Sequence, residues 1–220
     1  MNKRLIVYIL GWVLIVEGAA MQIATVTSFI YGEHEGLYFL GVGALSALLG
    51  LLAVKVKKPK NPVLYQKAGF AATALSWILM SFVGCFPFWL SGEIPSFIDA
   101  FYETVSGFTT TGSTILTDVE ALSHGMLMWR SFLHWLGGMG VIVFLLAIIP
   151  NIFLMKAESP GPIVGKAVPK MRNYAMMLYG IYFGLTTLEF IFLIIGKMPV
   201  FDALNISFAT AGTGGFGVTN

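Results

Sequence analysis

The chain has 220 residues, of which 57% are hydrophobic and only 11% are charged. A soluble domain of this length needs far more charge to cover its surface, so the composition indicates a membrane protein. The net charge of +2 carries little information. A single cysteine, Cys85, excludes an internal disulfide, and we expect it in the protein core or facing lipid.

Five apolar runs exceed the roughly 18 residues that crossing a bilayer requires. They cover residues 5–31, 36–54, 68–90, 125–155 and 174–196. Lys3 and Arg4 precede the first run, as in a signal peptide, but its apolar stretch is too long and no small-residue cleavage site follows. The runs therefore predict an all-α membrane protein.

The positions of the charges predict an orientation. Basic residues concentrate at 3–4, 55–67 and 156–172, close to the ends of the apolar runs. The segments between them are acidic and carry Glu33, Glu35, Glu93, Asp99, Glu103, Asp118 and Glu120. This is the positive-inside pattern, which predicts a cytoplasmic N-terminus, cytoplasmic loops near Lys57 and Lys166, and an external loop near Asp118. Because the basic segments are short and flank spans, they are topology signals and not a nucleic-acid site.

Three regions follow one another along the chain. Residues 1–60 form a transmembrane hairpin, residues 61–159 a first unit, and residues 160–220 a second unit that stops after its loop. In the first unit a span precedes a short apolar segment, 94–108, in which Ser96 and Asp99 favour a helix start. A Thr/Gly-rich loop at 107–114 and another long span follow.

The same order recurs about 103 residues later, from Pro199 onward. The alignment pairs Asp99 with Asp202, Thr110 with Thr213, and Gly112 with Gly215. A repeat of span, short helix and glycine-rich loop is typical of a pore-building unit.

Thr/Gly-rich loops after short helices are suited to binding cations. Irregular backbone at membrane depth must line something polar, because unpaired amides and carbonyls are costly in hydrocarbon. Carbonyl oxygens turned toward one axis replace the water shell of a cation, and glycine permits the backbone angles required. We predict an ion-binding filter of Thr110, Thr111, Gly112, Thr213, Gly214 and Gly215, supported by Glu103, Thr109, Ser113 and Gly212. The alternative is a pair of ordinary Gly/Thr turns outside the membrane.

These residues carry a family resemblance. Residues 97–113 resemble the first pore loop of the Trk/Ktr/HKT potassium transporters, residues 129–143 resemble the following helix of the TrkH branch, and residues 157–162 its next cytoplasmic loop. Residues 211–216 are similar to the second filter segment, and the N-terminal hairpin is a mark of the TrkH branch. The resemblance covers essentially the whole chain.

The resemblance implies four span–pore-loop–span units around one pore, with Gly112 and Gly215 supplying two of four filter glycines. It further implies potassium as substrate, no cofactor, no enzymatic activity and a location in the cytoplasmic (inner) membrane. The expected partners are lipid, the remaining pore units, a second copy in a homodimer, and a cytosolic nucleotide-binding regulatory ring like TrkA. On this reading the chain is a fragment of the pore subunit.

Several alternatives stay open from sequence alone. One alternative is an accessory membrane subunit without its own pore, and another is a sodium-permeable transporter of the same family. A membrane-embedded enzyme needs clustered acid, base or nucleophile side chains within spans, which the sequence lacks. A resident metal site is not expected, because the three histidines have no ligand spacing.

The remaining polar residues in apolar segments have two readings each. Glu17 and Glu189 serve helix packing or proton coupling, and packing is favoured. Glu103 braces the filter or concentrates cations, and bracing is favoured. Arg130 and His134, one turn apart, are expected to snorkel at the outer surface or pair with Asp118 or Glu120. The glycines at 137–140 predict close helix packing or a bend.

Overall fold

The computed structural model describes residues 3–57, 63–64, 66–140, 153–154 and 167–219. In these ranges the regular secondary structure is helical apart from one two-residue parallel pairing. The elements are α1 (Lys3–Ile30), α2 (Gly36–Val56), β1 (Val63–Leu64), α3 (Gln66–Gly84), α4 (Phe86–Ser91), α5 (Phe97–Phe108), α6 (His124–Gly138), β2 (Phe153–Leu154), α7 (Ala167–Ile195) and α8 (Val200–Ala211).

Four of the five predicted spans correspond to helices of sufficient length and hydropathy. These segments are Lys3–Ile30, Gly36–Val56, Ala68–Ser91 and Met176–Ile195. The fifth, 125–155, begins as α6, and most of its remainder lies outside the described residues. The prediction of an all-α membrane protein is confirmed.

The N-terminal hairpin packs backbone against backbone. A Cβ atom at Gly11 would lie 2.9 Å from the Gly50 carbonyl oxygen, and one at Gly43 would lie 2.8 Å from the Gly18 carbonyl oxygen. The Ser46 hydroxyl donates to the Leu14 carbonyl across the same contact. Small residues allow this close approach, which is a common way for helices to associate in membranes.

The third span is interrupted near its end. α3 stops at Gly84 and α4 begins at Phe86, with Pro87 in its first turn. Proline lacks an amide hydrogen and fits a first helical turn better than a helix interior. Cys85, at the break, is fully buried, which matches the core alternative predicted from sequence.

Two short helices, α5 and α8, match the predicted repeat. Each has 12 residues and rises only about 18 Å, too little to cross a bilayer core. The Ser96 hydroxyl caps α5 by accepting from the Asp99 amide, as predicted. Asp202 occupies the first turn of α8. Both helices point their C-terminal, electronegative ends at the Thr/Gly-rich loops that follow.

The acidic loops meet at one end of the molecule. The Glu33 carboxylate accepts the amides of His124 and Gly125, and the Glu93 carboxylate accepts the Ser123 amide at 2.9 Å. These bonds satisfy donors at the start of α6 that have no partner within the helix. Burial raises the pKa of the Glu93 carboxyl, an effect that the bonds with Ser123 oppose and the nearby carboxylates reinforce. The loops that were assigned to one side from charge thus lie together.

Candidate functional site: the paired filter loops

Both pore helices end in the same hydrogen-bonded motif. In each loop one amide donates to the carbonyl three residues earlier, and the next amide donates to the carbonyl five residues earlier. The pairs are Thr110 N to Gly107 O (3.1 Å), Thr111 N to Ser106 O (3.0 Å), Thr213 N to Thr210 O (2.8 Å) and Gly214 N to Ala209 O (2.9 Å). This is the Schellman pattern of helix termination. Its recurrence at the repeat spacing shows that the two units share backbone geometry as well as sequence order.

The backbone angles of the two loops also correspond. Thr110 and Thr213 have φ of 55° and 56°, and Gly112 and Gly215 have φ of 73° and 85°. The Schellman position is normally glycine, because a β-branched residue with positive φ is strained. The left-handed conformation costs each of these threonines about 1–2 kcal/mol. Sequence analysis assigned the special angles only to the glycines and missed the threonines.

Positive φ at every second residue has a consequence for the carbonyl groups. Along a regular strand successive carbonyls point to opposite sides. Left-handed residues at every second position break that regular alternation. A carbonyl-lined cation filter needs successive oxygens that face one side.

The two loops contact each other at their predicted filter residues. A Cβ atom at Gly112 would collide with the Gly214 carbonyl oxygen. Two independent features therefore require glycine at position 112: its positive φ and the close approach of the second loop. The structure brings together the residues that the sequence assigned to two separate copies.

Side-chain hydroxyls flank the first loop. The Thr109 hydroxyl donates to the Val105 carbonyl at 2.8 Å and also contacts the Thr111 hydroxyl. The Tyr102 hydroxyl donates to the Ser113 hydroxyl at 2.9 Å. Thr109 and Ser113 thus connect the loop to its own pore helix, in the manner expected of supporting residues.

Helix α6 packs against the start of both loops. A Cβ atom at Gly137 would collide with the Phe108 carbonyl, and one at Gly138 would lie 2.8 Å from the Gly212 Cα atom. Gly212 in turn packs on the His134 carbonyl. The close packing predicted for these α6 glycines is confirmed, and it joins the end of α5 to the start of the second loop.

Glu103 is wholly buried and fully hydrogen-bonded. Its Oε1 atom accepts from the Thr114 hydroxyl at 2.8 Å and from Arg130 Nε at 2.6 Å, and its Oε2 atom accepts from the Ile115 amide at 3.1 Å. The side chain has no exposed surface. This geometry favours bracing of the segment after the first loop over attraction of cations.

The expectation that Arg130 and His134 snorkel at the outer surface is wrong. Arg130 is 1% exposed and forms its ion pair with Glu103, and His134 is 0% exposed with its ring against Phe216. Both side chains project from α6 toward the pore units, Arg130 to Glu103 of α5 and His134 to Phe216 of the second loop. Spacing alone placed them near a span end, and only tertiary contacts reveal what they pack against. The sequence signal for this ion pair was a glutamate, Glu103, within a short apolar segment, since a carboxylate buried there needs a cationic partner.

Neither intramembrane glutamate belongs to the filter loops. The buried Glu17 carboxylate lies beside Gly84 of α3, where a Cβ atom would be 3.1 Å from its Oε1 atom. Glu189 is half-buried on α7. Their assignment to helix packing remains a prediction.

Two helices too short to span a bilayer, each ending in a Thr/Gly-rich loop that contacts the other loop, place this chain in the class of pore-loop membrane proteins. Comparison with known sequences gives the family. Residues 38–220 match the family model described as "TrkH: Cation transport protein", and the chain belongs to that family. The family is one of cation transporters, which sets aside the membrane-enzyme alternative.

Individual relatives agree. The Trk system potassium uptake protein TrkH of Escherichia coli is 35% identical over 98% of this chain and 46% of its own length. A cation transporter of Methanocaldococcus jannaschii is 31% identical over 98% of this chain and 45% of its own. The crystal structure of the potassium transporter TrkH from Vibrio parahaemolyticus superimposes with a TM-score of 0.80 at 29% identity, covering 99% of this chain and 45% of that one. The chain thus spans about half the length of these relatives.

Proposed function

We propose that the protein takes up potassium across the cytoplasmic membrane through a carbonyl-lined filter, of which this chain supplies two loops. The observation that carries the proposal is the matched pair of Schellman-terminated pore helices whose loops meet at Gly112 and Gly214. The ion-binding groups are the carbonyls of Thr110, Thr111, Gly112, Thr213, Gly214 and Gly215. Potassium is the substrate and not a resident cofactor.

Two loops do not surround an ion. A ring of carbonyls that replaces a hydration shell needs oxygens from all sides. Two further loops therefore complete the filter, consistent with the chain covering 46% of the Escherichia coli relative. The proposed assembly is a homodimer of such pores on a cytosolic nucleotide-binding ring. Within this chain, the proposed units are the N-terminal hairpin, 1–60, the first pore unit, 61–159, and the second pore unit, 160–220.

Uptake by a potassium-uptake-deficient bacterium tests the function. We expect the protein with all four filter loops to restore growth at low external potassium. The 220 residues alone should insert into the membrane without restoring growth, because half of the filter oxygens are lacking. Membrane levels of both proteins are matched by immunoblot. Growth restored by the 220 residues alone would show that copies of this chain form a pore together, and growth restored by neither would contradict the function.

The proposed orientation has the N-terminus in the cytoplasm. The contacts of Glu33 and Glu93 with the start of α6 support it, since they bring the acidic loops to one side. In a Cys85→Ala background, we expect Thr117→Cys but not Lys57→Cys to react with a membrane-impermeant thiol reagent on intact cells. Labelling of both after permeabilisation is the control, and the reverse pattern on intact cells would invert the orientation.

A further inference from the structure

Arg130 connects the two pore units. Its Nε atom donates to Glu103 of the first pore helix at 2.6 Å, and its Nη1 atom donates to the Gly217 carbonyl, just after the second filter loop, at 2.9 Å. The guanidinium carbon lies 3.8 Å from the centroid of the Phe216 ring. Such a cation–π contact is strongest where water is excluded, as it is here.

The groups held by this ion pair occupy equivalent places in the repeat. Thr114 and Gly217 correspond at the repeat spacing of about 103 residues. Glu103 accepts from the Thr114 hydroxyl, so one member of the pair fixes the exit of the first loop. Arg130 fixes the exit of the second loop through the Gly217 carbonyl.

The second unit lacks a carboxylate of its own at this place. Ile206 of α8 stands where Glu103 stands in α5. An isoleucine side chain accepts no hydrogen bonds, so α8 provides no counterpart of the Glu103 brace. The second loop is instead held from α6, an element of the first unit.

We propose that Arg130 is a positioning residue for ion selectivity, which sets the second filter loop relative to the first through Glu103, Phe216 and Gly217. The inference rests on the proposed potassium transport. Arginine suits the role because its planar fork donates in two directions while its face covers an aromatic ring. The ion is not touched by Arg130, which acts through the backbone that follows Gly215.

The test separates positioning from simple stabilisation. Replacing a buried ion pair by neutral groups of similar volume often leaves folding intact, whereas removing one partner does not. The double variant Glu103→Gln/Arg130→Met should therefore reach the wild-type membrane level. Its preference for potassium over sodium, measured as competition against rubidium uptake, should fall about tenfold, as is usual when support for an ion-binding shell is removed.

Arg130→Lys is the second variant. Lysine keeps the charge opposite Glu103 but has no fork to reach the Gly217 carbonyl or face to cover Phe216, so preference should fall while the level is kept. Wild-type preference in either variant at normal level would overturn the inference and leave potassium transport standing. Failure of both variants to accumulate would also overturn it, because the pair would then serve the fold. Absence of rubidium uptake in the wild type would overturn the proposed function and this inference together.

Discussion

Gly112→Ser is expected to reduce the preference for potassium over sodium about tenfold or more, in the protein with all four filter loops. A serine at φ of 73° is strained by roughly 1–2 kcal/mol, and its Cβ atom meets the Gly214 carbonyl oxygen. Relief of that contact moves oxygens of both loops. Since selectivity is a difference of two affinities, a loss of about 1.4 kcal/mol in that difference is tenfold in preference.

The matched control is Gly92→Ser. Gly92 has a similar φ of 81°, but nothing lies within 4 Å of a Cβ atom there, and it ends α4 outside the filter. We expect some loss of stability and unchanged ion preference, measured by rubidium uptake against sodium or potassium at matched protein levels. Gly107, at the end of α5, is a weaker control because its Cβ atom would lie 2.8 Å from the Leu133 side chain. Equal effects at positions 112 and 92 would contradict the filter assignment.

Gly214→Ala is expected to cause a large loss of folded protein. Its Cβ atom would overlap the imidazole ring of His134, which is completely buried. Overpacking of this kind costs typically about 1–3 kcal/mol. We expect a lower membrane level and a lower melting temperature in detergent, with transport lost in proportion.

A second substitution identifies the cause. The three atoms nearest to a Cβ at position 214 belong to the His134 ring, so Gly214→Ala/His134→Ala should recover most of the lost stability. Gly215→Ala is the matched neighbour, since it has open space and bears only the cost of φ at 85°, about 1 kcal/mol. If the double variant were as unstable as Gly214→Ala, the steric contact with His134 would not be the reason for the glycine.

Much of the fold followed from local sequence signals. The apolar runs predicted the spans, and Ser96 with Asp99 predicted the start of α5, because length, hydropathy and capping act within a few residues of chain. The repeat also placed Gly112 opposite Gly215 in the alignment, and the structure gives both positive φ. The break near Cys85, between α3 and α4, had its signal in Pro87 but was not predicted.

The sequence by itself determined a membrane protein with two copies of a span, a short helix and a Thr/Gly-rich loop. Only the tertiary structure decided that the loops touch at Gly112 and Gly214, and that Arg130 reaches from Glu103 to Gly217. The spacing of residues along one helix predicts which face of the helix a side chain occupies, but not which other element packs against that face. Arg130 and Gly217 are far apart in sequence, and their contact depends on the packing of α6 against both short helices, α5 and α8, which brings one guanidinium group to the Glu103 carboxylate and the Gly217 carbonyl.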